Sequence, residues 1–195
     1  MILESKKLMY HGSYIIVDKP DLSKCMKGKD FGQGFYLTTD INQAKRFVKS
    51  SIGKAIKNGI DVLDNSKGYV SYYSIDDFSG ISIYEFETAD REWLHCVAAH
   101  RMNQLIPGEN EKWTKYDIIV GKIANDTTNQ VITAYINGLY GSVGSDIADE
   151  TAIRLLKPEK LTNQICIRTE KAIKHLNYNG YEEYIVQNKG TINGK

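Results

Sequence analysis

The sequence predicts an α+β fold, because strand-like and helix-like segments follow one another without regular alternation. Several short segments are rich in β-branched and aromatic residues, whereas others repeat apolar residues at the three-to-four spacing of an amphipathic helix. The chain has 195 residues, 42% of them hydrophobic, which suffices for one substantial core. We therefore expect one domain over residues 1–187 and a flexible polar tail over residues 188–195.

Two predicted strands carry the most distinctive residues of the chain. The first is the apolar segment Leu8-Met9-Tyr10, which ends in a turn at Gly12-Ser13 and so places His11 at the strand end. The second covers residues 35–38 and follows Gly32-Gln33-Gly34. A strand that directly follows two closely spaced glycines brings its first side chains next to a tight turn.

A long amphipathic helix is predicted over residues 40–57. Thr39 or Asp40 has the residue type of an N-cap, and Gln43 stands where a capping-box side chain reaches back to it. Apolar residues recur at helical spacing from Ile41 to Ile52. The basic residues between them are expected to face water.

The second half of the chain continues the mixture of strands and helices. Strands are predicted at residues 69–75, 81–87, 116–121, 164–168 and 181–186. Helices are predicted from Asp90, over residues 131–139, from Ser145 to Leu156, and from Thr169 to Leu176. Asn125-Asp126-Thr127-Thr128 is interpreted as loop or cap material.

Composition narrows the possible functions. The net charge of +1 gives no strong global field, so it neither supports nor excludes a nucleic-acid partner. No apolar run resembles a signal peptide or a membrane span, and we expect a cytoplasmic protein without a membrane partner. The three cysteines and four histidines show no metal-ligand spacing, so no metal cofactor is expected.

The glycine pattern does not fit the dinucleotide-binding fingerprint of a Rossmann fold. That fingerprint is Gly-x-Gly-x-x-Gly at the opening of a helix. Here Gly32-Gln33-Gly34 opens a strand, and the third glycine is missing.

Tyr10-His11-Gly12-Ser13, followed by Gly32-Gln33-Gly34-Phe35-Tyr36, resembles the first two signatures of the ADP-ribosyltransferase superfamily. The clade is that of diphtheria toxin and the poly(ADP-ribose) polymerases, named for its His-Tyr-Glu triad. The resemblance is closest to a bacterial toxin-like subfamily filed as a domain of unknown function. It extends over residues 8–176 and includes residues 116–121 and Ala124-Asn125-Asp126.

The resemblance implies a split mixed and antiparallel sheet, flanked by helices, around a cleft for the co-substrate NAD. His11 and Tyr36 would be catalytic. NAD-contacting residues would include, besides these, the following: Gly12, Ser13, Gly32, Gly34, Phe35, Phe47, Asn125 and Asp126. Phe47 stands where the polymerases carry a second nicotinamide-contacting aromatic, although a role in the core is the alternative. Asn125 and Asp126 lie either at the mouth of the cleft or in a simple turn.

Two positions correspond to the third signature of this clade, which is a glutamate just before a strand. We prefer Gln164, in Asn163-Gln164-Ile165-Cys166-Ile167, because the toxin-like subfamily commonly has an amide there. The alternative is Glu183, which keeps the carboxylate but lies near the end of the chain.

The resemblance implies a mono-ADP-ribosyltransferase that cleaves NAD and transfers ADP-ribose to a protein or nucleic acid. It also implies a toxin controlled by an antitoxin protein. The amide at position 164 argues against polymer synthesis, for which the polymerases use their glutamate. Two alternatives stay open, namely an NAD or ADP-ribose binding module without transferase activity and an NAD glycohydrolase.

Overall fold

The computed structural model describes residues 3–103, 105–123 and 126–186, and over these residues the protein contains seven strands and six helices. The strands are β1 (Met9–Ser13), β2 (Phe35–Leu37), β3 (Lys67–Ile75), β4 (Ile83–Glu85), β5 (Ile118–Lys122), β6 (Asn163–Ile167) and β7 (Leu176–Ile185). The helices are α1 (Ile41–Lys57), α2 (Arg91–Arg101), α3 (Glu109–Trp113), α4 (Asp126–Ile136), α5 (Asp146–Leu156) and α6 (Glu170–Ile173). The predicted α+β class is confirmed.

The strands form two sheets that meet at one point. The first sheet is antiparallel with the order β1-β3-β7, and the second has the order β2-β6-β5-β4 with a parallel β4–β5 pair. An isolated bridge between Tyr10 and Thr38 joins β1 to the end of β2, through backbone hydrogen bonds of 2.8 and 3.0 Å. The three-stranded sheet is therefore antiparallel and the four-stranded sheet is mixed. The division between the two sheets lies between β1 and β2.

Three apolar clusters hold these layers together. One cluster combines residues of both sheets, such as Tyr73 from β3 and Ile165 from β6. A second packs Val48 of α1 against Val70 of β3. The third covers the opposite face of the four-stranded sheet with α2, α4 and α5, around the fully buried Trp93. Among the helices of the described ranges, none has the length and apolar composition needed to cross a membrane.

The strand β1 is longer than predicted, and this changes the position of His11. Its pairing with β3 continues to Ser13, which lies opposite Tyr69. His11 and Gly12 therefore lie inside the strand and not at its end. The expected turn at Gly12-Ser13 was wrong because the local glycine signal is overridden by pairing with a strand distant in sequence.

The helix α1 begins as predicted, but its cap does not use Gln43. Asp40 is the N-cap, and its side chain accepts a hydrogen bond from the backbone N–H of Asn42 at 2.9 Å. Gln43 is buried, and its amide nitrogen donates to the carbonyl oxygen of Asn163 at 3.3 Å. The predicted capping box was wrong because a tertiary contact takes this side chain.

Other boundaries differ near the end of the chain. Helix α4 begins at Asp126 and not near Val131, so residues expected in a loop are helical. Helix α6 stops at Ile173, and β7 then runs for ten residues alongside β3. This edge strand was predicted too short because most of its side chains face solvent and carry no apolar pattern. The predicted tail at residues 188–195 lies outside the described residues.

Helix α1 lies unusually close to β1 at Gly12. A Cβ atom at this position would lie 1.9 Å from the carbonyl oxygen of Ala44, which is backbone and has no room to move. Glycine is therefore required here so that α1 can contact the strand that carries His11.

We expect Gly12→Ala to lower the free energy of unfolding by about 1–3 kcal/mol, because overpacking must displace the helix backbone. Chemical denaturation of the purified variant measures this change. Gly53→Ala is the matched control, since an added Cβ on the exposed side of α1 meets nothing within 4 Å. The control should gain about 0.5–1 kcal/mol from helix propensity, and equal effects of the two substitutions would contradict the packing argument.

Candidate functional site

The two predicted motifs meet where β1 and β2 run side by side. The imidazole Nδ1 of His11 lies 2.8 Å from the carbonyl oxygen of Tyr36. The ring also packs on Phe35, with centroids 4.5 Å apart and an interplanar angle of 36°. Residues 25 positions apart in the chain are thus joined by a direct hydrogen bond.

This hydrogen bond determines the tautomer of His11. A carbonyl oxygen only accepts, so Nδ1 carries the proton and donates it to Tyr36. Burial lowers the pKa of His11, while the bond to Tyr36 partly offsets this shift. The ring is therefore neutral at pH 7, and its Nε2 is an acceptor.

The hydroxyl of Tyr36 organises the glycine-rich turn before β2. It accepts a hydrogen bond from the backbone N–H of Phe31 and donates one to the carbonyl oxygen of Gly32, both at 2.9 Å. Burial raises the pKa of Tyr36 well above its ordinary value, so the phenol stays neutral. Its half-buried ring thus has a fixed position, with the hydroxyl engaged by the protein itself.

The two glycines of this turn are needed for different reasons. Gly32 has a φ of +81°, in the left-handed region that favours glycine, and a Cβ there would lie 2.6 Å from the ring of His100. A Cβ on Gly34 would lie 2.5 Å from the sulfur of Cys166. The space beside both glycines is thus filled by the protein's own side chains, which makes the turn rigid.

The structure brings Gln164, and not Glu183, to Tyr36. Tyr36 pairs with Cys166, and Gln164 is two residues from Cys166 on β6, so both side chains lie on the same face of the sheet. Glu183 lies on β7 in the other sheet, opposite Tyr69. Its side chain is 43% exposed and pairs with Lys67 at 2.7 Å.

The amide of Gln164 has a defined orientation. Its Nε2 donates to Asp30 Oδ2 at 2.7 Å and to the carbonyl oxygen of Lys122 at 3.2 Å. Both partners are acceptors, so the nitrogen is assigned by the network and both of its hydrogens are used. Among the described residues, the carbonyl Oε1 of Gln164 accepts no hydrogen bond.

A buried ion pair behind Gln164 escaped the sequence analysis. Arg101 donates from Nε and Nη2 to Asp30 Oδ1 at 2.9 and 2.6 Å, with side chains only 15% and 10% exposed. The only feature of the sequence that points to this ion pair is the position of Asp30 just before the glycine-rich motif. Arg101 is 71 residues away and has no local signal.

Phe47 and Gln43 lie on one flank of α1. They are four residues apart, so they share a helix face, and Gln43 reaches Asn163 of β6. This flank therefore faces the division between the two sheets. Phe47 is 41% exposed, so its interpretation as a core residue was wrong.

The remaining predicted residues are less informative. Ser13 and Phe35 are buried, and Ser13 Oγ accepts from the N–H of Ile15 at 3.5 Å. Asn125 lies outside the described residues. Asp126 is the first residue of α4, and its side chain also lies outside the described part of the chain.

We expect His11 to titrate below its ordinary pKa of about 6.5, because burial disfavours the imidazolium. In the unfolded chain His11 binds a proton at a higher pH. Stability from this residue is therefore complete above pH 6.5 and is lost as the pH falls through the lowered pKa. NMR titration of the ring protons, assigned with His11→Gln, measures the pKa. A value at or above 6.5 would contradict the buried neutral ring.

We expect Arg101→Met to lower the free energy of unfolding by about 3–5 kcal/mol, because it leaves the buried Asp30 carboxylate without its charged partner. Denaturant unfolding provides the measurement. Arg46→Met is the control, since Arg46 is 66% exposed and lies 3.6 Å from Asp40. It should change stability by less than about 0.5 kcal/mol, and a comparable loss in both variants would argue against a special role of the buried pair.

The comparison with known proteins agrees with part of the resemblance. A family model described as "Protein of unknown function (DUF3990)" matches residues 8–178, which include His11, Tyr36 and Gln164. No curated protein matches the chain. The expected membership of a family filed as a domain of unknown function is confirmed. The chain belongs to the DUF3990 family of proteins of unknown function.

Proposed function

We propose that this protein is a mono-ADP-ribosyltransferase that cleaves NAD, releases nicotinamide and transfers ADP-ribose to a macromolecular acceptor. The observation that supports this proposal is that three residues far apart in sequence converge in the fold. His11 bonds to the backbone of Tyr36, and Gln164 shares a sheet face with Tyr36. The resemblance to the His-Tyr-Glu clade names the same three positions from sequence motifs alone.

In the proposed reaction, the bond between ribose C1′ and the nicotinamide nitrogen breaks, and nicotinamide leaves with the electron pair. A nucleophile of the acceptor forms a new bond to C1′ and releases its proton to solvent. The transition state has oxocarbenium character, as in glycoside hydrolysis. Catalysis then depends mainly on orientation and on stabilising positive charge.

The geometry supplies groups suited to orienting NAD. The acceptor Nε2 of His11 suits a ribose hydroxyl, which donates. An aromatic face suits the positively charged pyridinium, and such a contact is worth about 1 kcal/mol or more when water is excluded. Tyr36 has a fixed ring, and Phe47 is an exposed aromatic on the flank of α1 that faces the same division between the sheets.

Gln164 fits a transferase that adds single ADP-ribose groups. A carboxylate about 4 Å from the developing cation would contribute roughly 4 kcal/mol at an effective dielectric near 20, and an amide supplies only its dipole. Asp30 needs a hydrogen-bond donor at this position, since its Oδ2 lies 2.7 Å from Gln164 Nε2. A glutamate there would place two carboxylates in contact. The amide oxygen can still hold a ribose hydroxyl, but it does not deprotonate an acceptor for chain elongation.

The proposed biological role is that of a toxin controlled by an antitoxin protein, which follows from the toxin-like subfamily of the resemblance. Production of the protein without its partner should then arrest growth. NAD is a co-substrate in this proposal, and no metal takes part.

A second candidate function is an NAD or ADP-ribose binding module without transferase activity. The neutral residue at the third position favours it, because Gln164 adds no negative charge and Asp30 is neutralised by Arg101. Such a module would bind NAD without releasing nicotinamide.

The experiment that separates these functions incubates the protein with NAD labelled in its adenylate part, with and without cell lysate. It measures the nicotinamide released and, separately, the label attached to macromolecules. We expect release together with label on a macromolecule. His11→Ala, Tyr36→Ala and Gln164→Ala should each lower the rate at least tenfold, which corresponds to about 1.4 kcal/mol of transition-state stabilisation. Glu183→Gln is the control and should keep the full rate, because Glu183 lies in the other sheet.

The alternative outcomes are distinct. Free ADP-ribose as the only labelled product would identify an NAD glycohydrolase. NAD binding without nicotinamide release would establish the binding module. Full activity of folded His11→Ala or Tyr36→Ala would remove the proposed site, and ladders of product on a denaturing gel would contradict single transfer.

A further inference from the structure

Positive charge is concentrated in one segment of the chain, although the whole protein is nearly neutral. Residues 24–57 contain eight lysines and arginines and two aspartates, so their net charge is +6. The net charge of the chain is +1, which leaves −5 for the other residues. This segment contains the glycine-rich turn, Tyr36 and the whole of α1.

Helix α1 is a strongly basic element. It contains no acidic residue and five basic ones, at positions 45, 46, 49, 54 and 57. Lys45 pairs with Glu182, and Arg46 lies 3.6 Å from Asp40. Over the ranges that the structure describes, Lys54 and Lys57 form no ion pair, and both are exposed. Both lie in the last turn of α1, where positive charge interacts favourably with the helix dipole.

Lys54 and Lys57 lie on the flank of α1 that begins at Gln43. Lys54 is eleven residues after Gln43, about three helical turns, so the two share one side of the helix. Gln43 on this side reaches β6, and Phe47 lies between them. The lysines therefore continue the flank that begins beside Asn163 and Gln164.

A further cation, Lys29, lies in the loop before the glycine-rich turn. Lys29 precedes Asp30, whose carboxylate holds Gln164. Partial burial is the main reason that the pKa of Lys29 is lowered; the positive charge of Lys54 lowers it further, Asp30 opposes the shift, and Arg101 adds a smaller lowering. Lys29 has no ion pair within the described residues. Lys29 and Lys54 thus repel each other from two separate elements, and a multivalent anion between them would relieve this repulsion.

We propose that Lys29, Lys54 and Lys57 bind the phosphate backbone of a single-stranded nucleic acid, which is the acceptor of the transferred ADP-ribose. The role as acceptor rests on the proposed transferase, whereas the binding surface does not. A nucleic acid fits because its negative charges recur regularly, with one phosphate per strand for about every 3.4 Å of helix axis in B-form DNA. Lys54 and Lys57 are three residues apart, about 4.5 Å along α1 at 1.5 Å per residue, so one strand can contact both lysines.

A single strand fits better than a duplex. Enzymes that modify a nucleotide act on single strands or take the base out of the stack, because the reacting atom is inaccessible in a duplex. An unpaired nucleotide can present its acceptor atom to C1′ without the unpairing energy that a duplex requires.

The test is fluorescence anisotropy with a labelled single-stranded RNA and a labelled single-stranded DNA, titrated at several salt concentrations without NAD. We expect binding that weakens with salt. Lys54→Gln/Lys57→Gln should reduce the slope of log affinity against log salt by about 1.4, since each lost phosphate contact removes about 0.7. Lys115→Gln/Lys174→Gln is the matched control, because it removes the same charge from exposed lysines outside residues 24–57 and should leave the slope unchanged.

Three results would overturn the proposal. The first is absence of binding to both strands at low salt. The second is a loss of salt slope in the control variant as large as in Lys54→Gln/Lys57→Gln. The third is that polyglutamate binds as tightly as the nucleic acids, which would indicate an acidic protein partner. His11→Ala should bind the strand like the unsubstituted protein. If the proposed transferase activity is wrong, nicotinamide release is absent while nucleic-acid binding remains. If the proposed nucleic-acid surface is wrong, binding itself is absent.

Discussion

The carboxylate of Asp30 connects three parts of the chain that are far apart in sequence. One oxygen receives Arg101 from the end of α2, and the other receives Gln164 from β6. Asp30 itself begins the turn that is closed by the hydroxyl of Tyr36. The orientation of the candidate site thus depends on one buried charge, and removal of a charged partner from such a group is strongly destabilising.

This arrangement explains why the third position carries an amide. A buried carboxylate that is already paired with arginine accepts a further hydrogen bond but repels a second negative charge. Gln164 satisfies Asp30 with its nitrogen and leaves its oxygen for a ligand. The site therefore offers hydrogen-bond acceptors at Gln164 Oε1 and His11 Nε2, and neither group carries a charge at pH 7.

Charge in the neighbourhood of the site comes from helix α1 and the loop before the glycine-rich turn. The glycine at position 12 lets α1 lie directly on β1, with no space for a side chain between them. This contact brings the flank of Phe47 and Lys54 next to the division between the sheets. A single close helix contact thus links the packing of the fold to the electrostatics of the candidate site.

Local patterns in the sequence were sufficient for much of the fold. The α+β class and the caps at Asp40, Asp90, Ser145 and Thr169 follow from periodicity and capping chemistry, which act within a few residues. The motifs around His11 and Tyr36 also stand out in the sequence, because glycines and aromatics of this kind are contiguous. Edge strand β7 was only partly predictable, since its exposed side chains have no apolar alternation.

Only the tertiary structure decided which distant groups meet. It placed Gln164 beside Asp30 and on the face of Tyr36, left Glu183 in the other sheet, and buried Gln43 against Asn163. It also showed that His11 lies within a strand and donates through Nδ1, which turns its other nitrogen into an acceptor. Sequence patterns determine local conformation, whereas hydrogen bonds between residues up to 134 positions apart depend on how the elements pack.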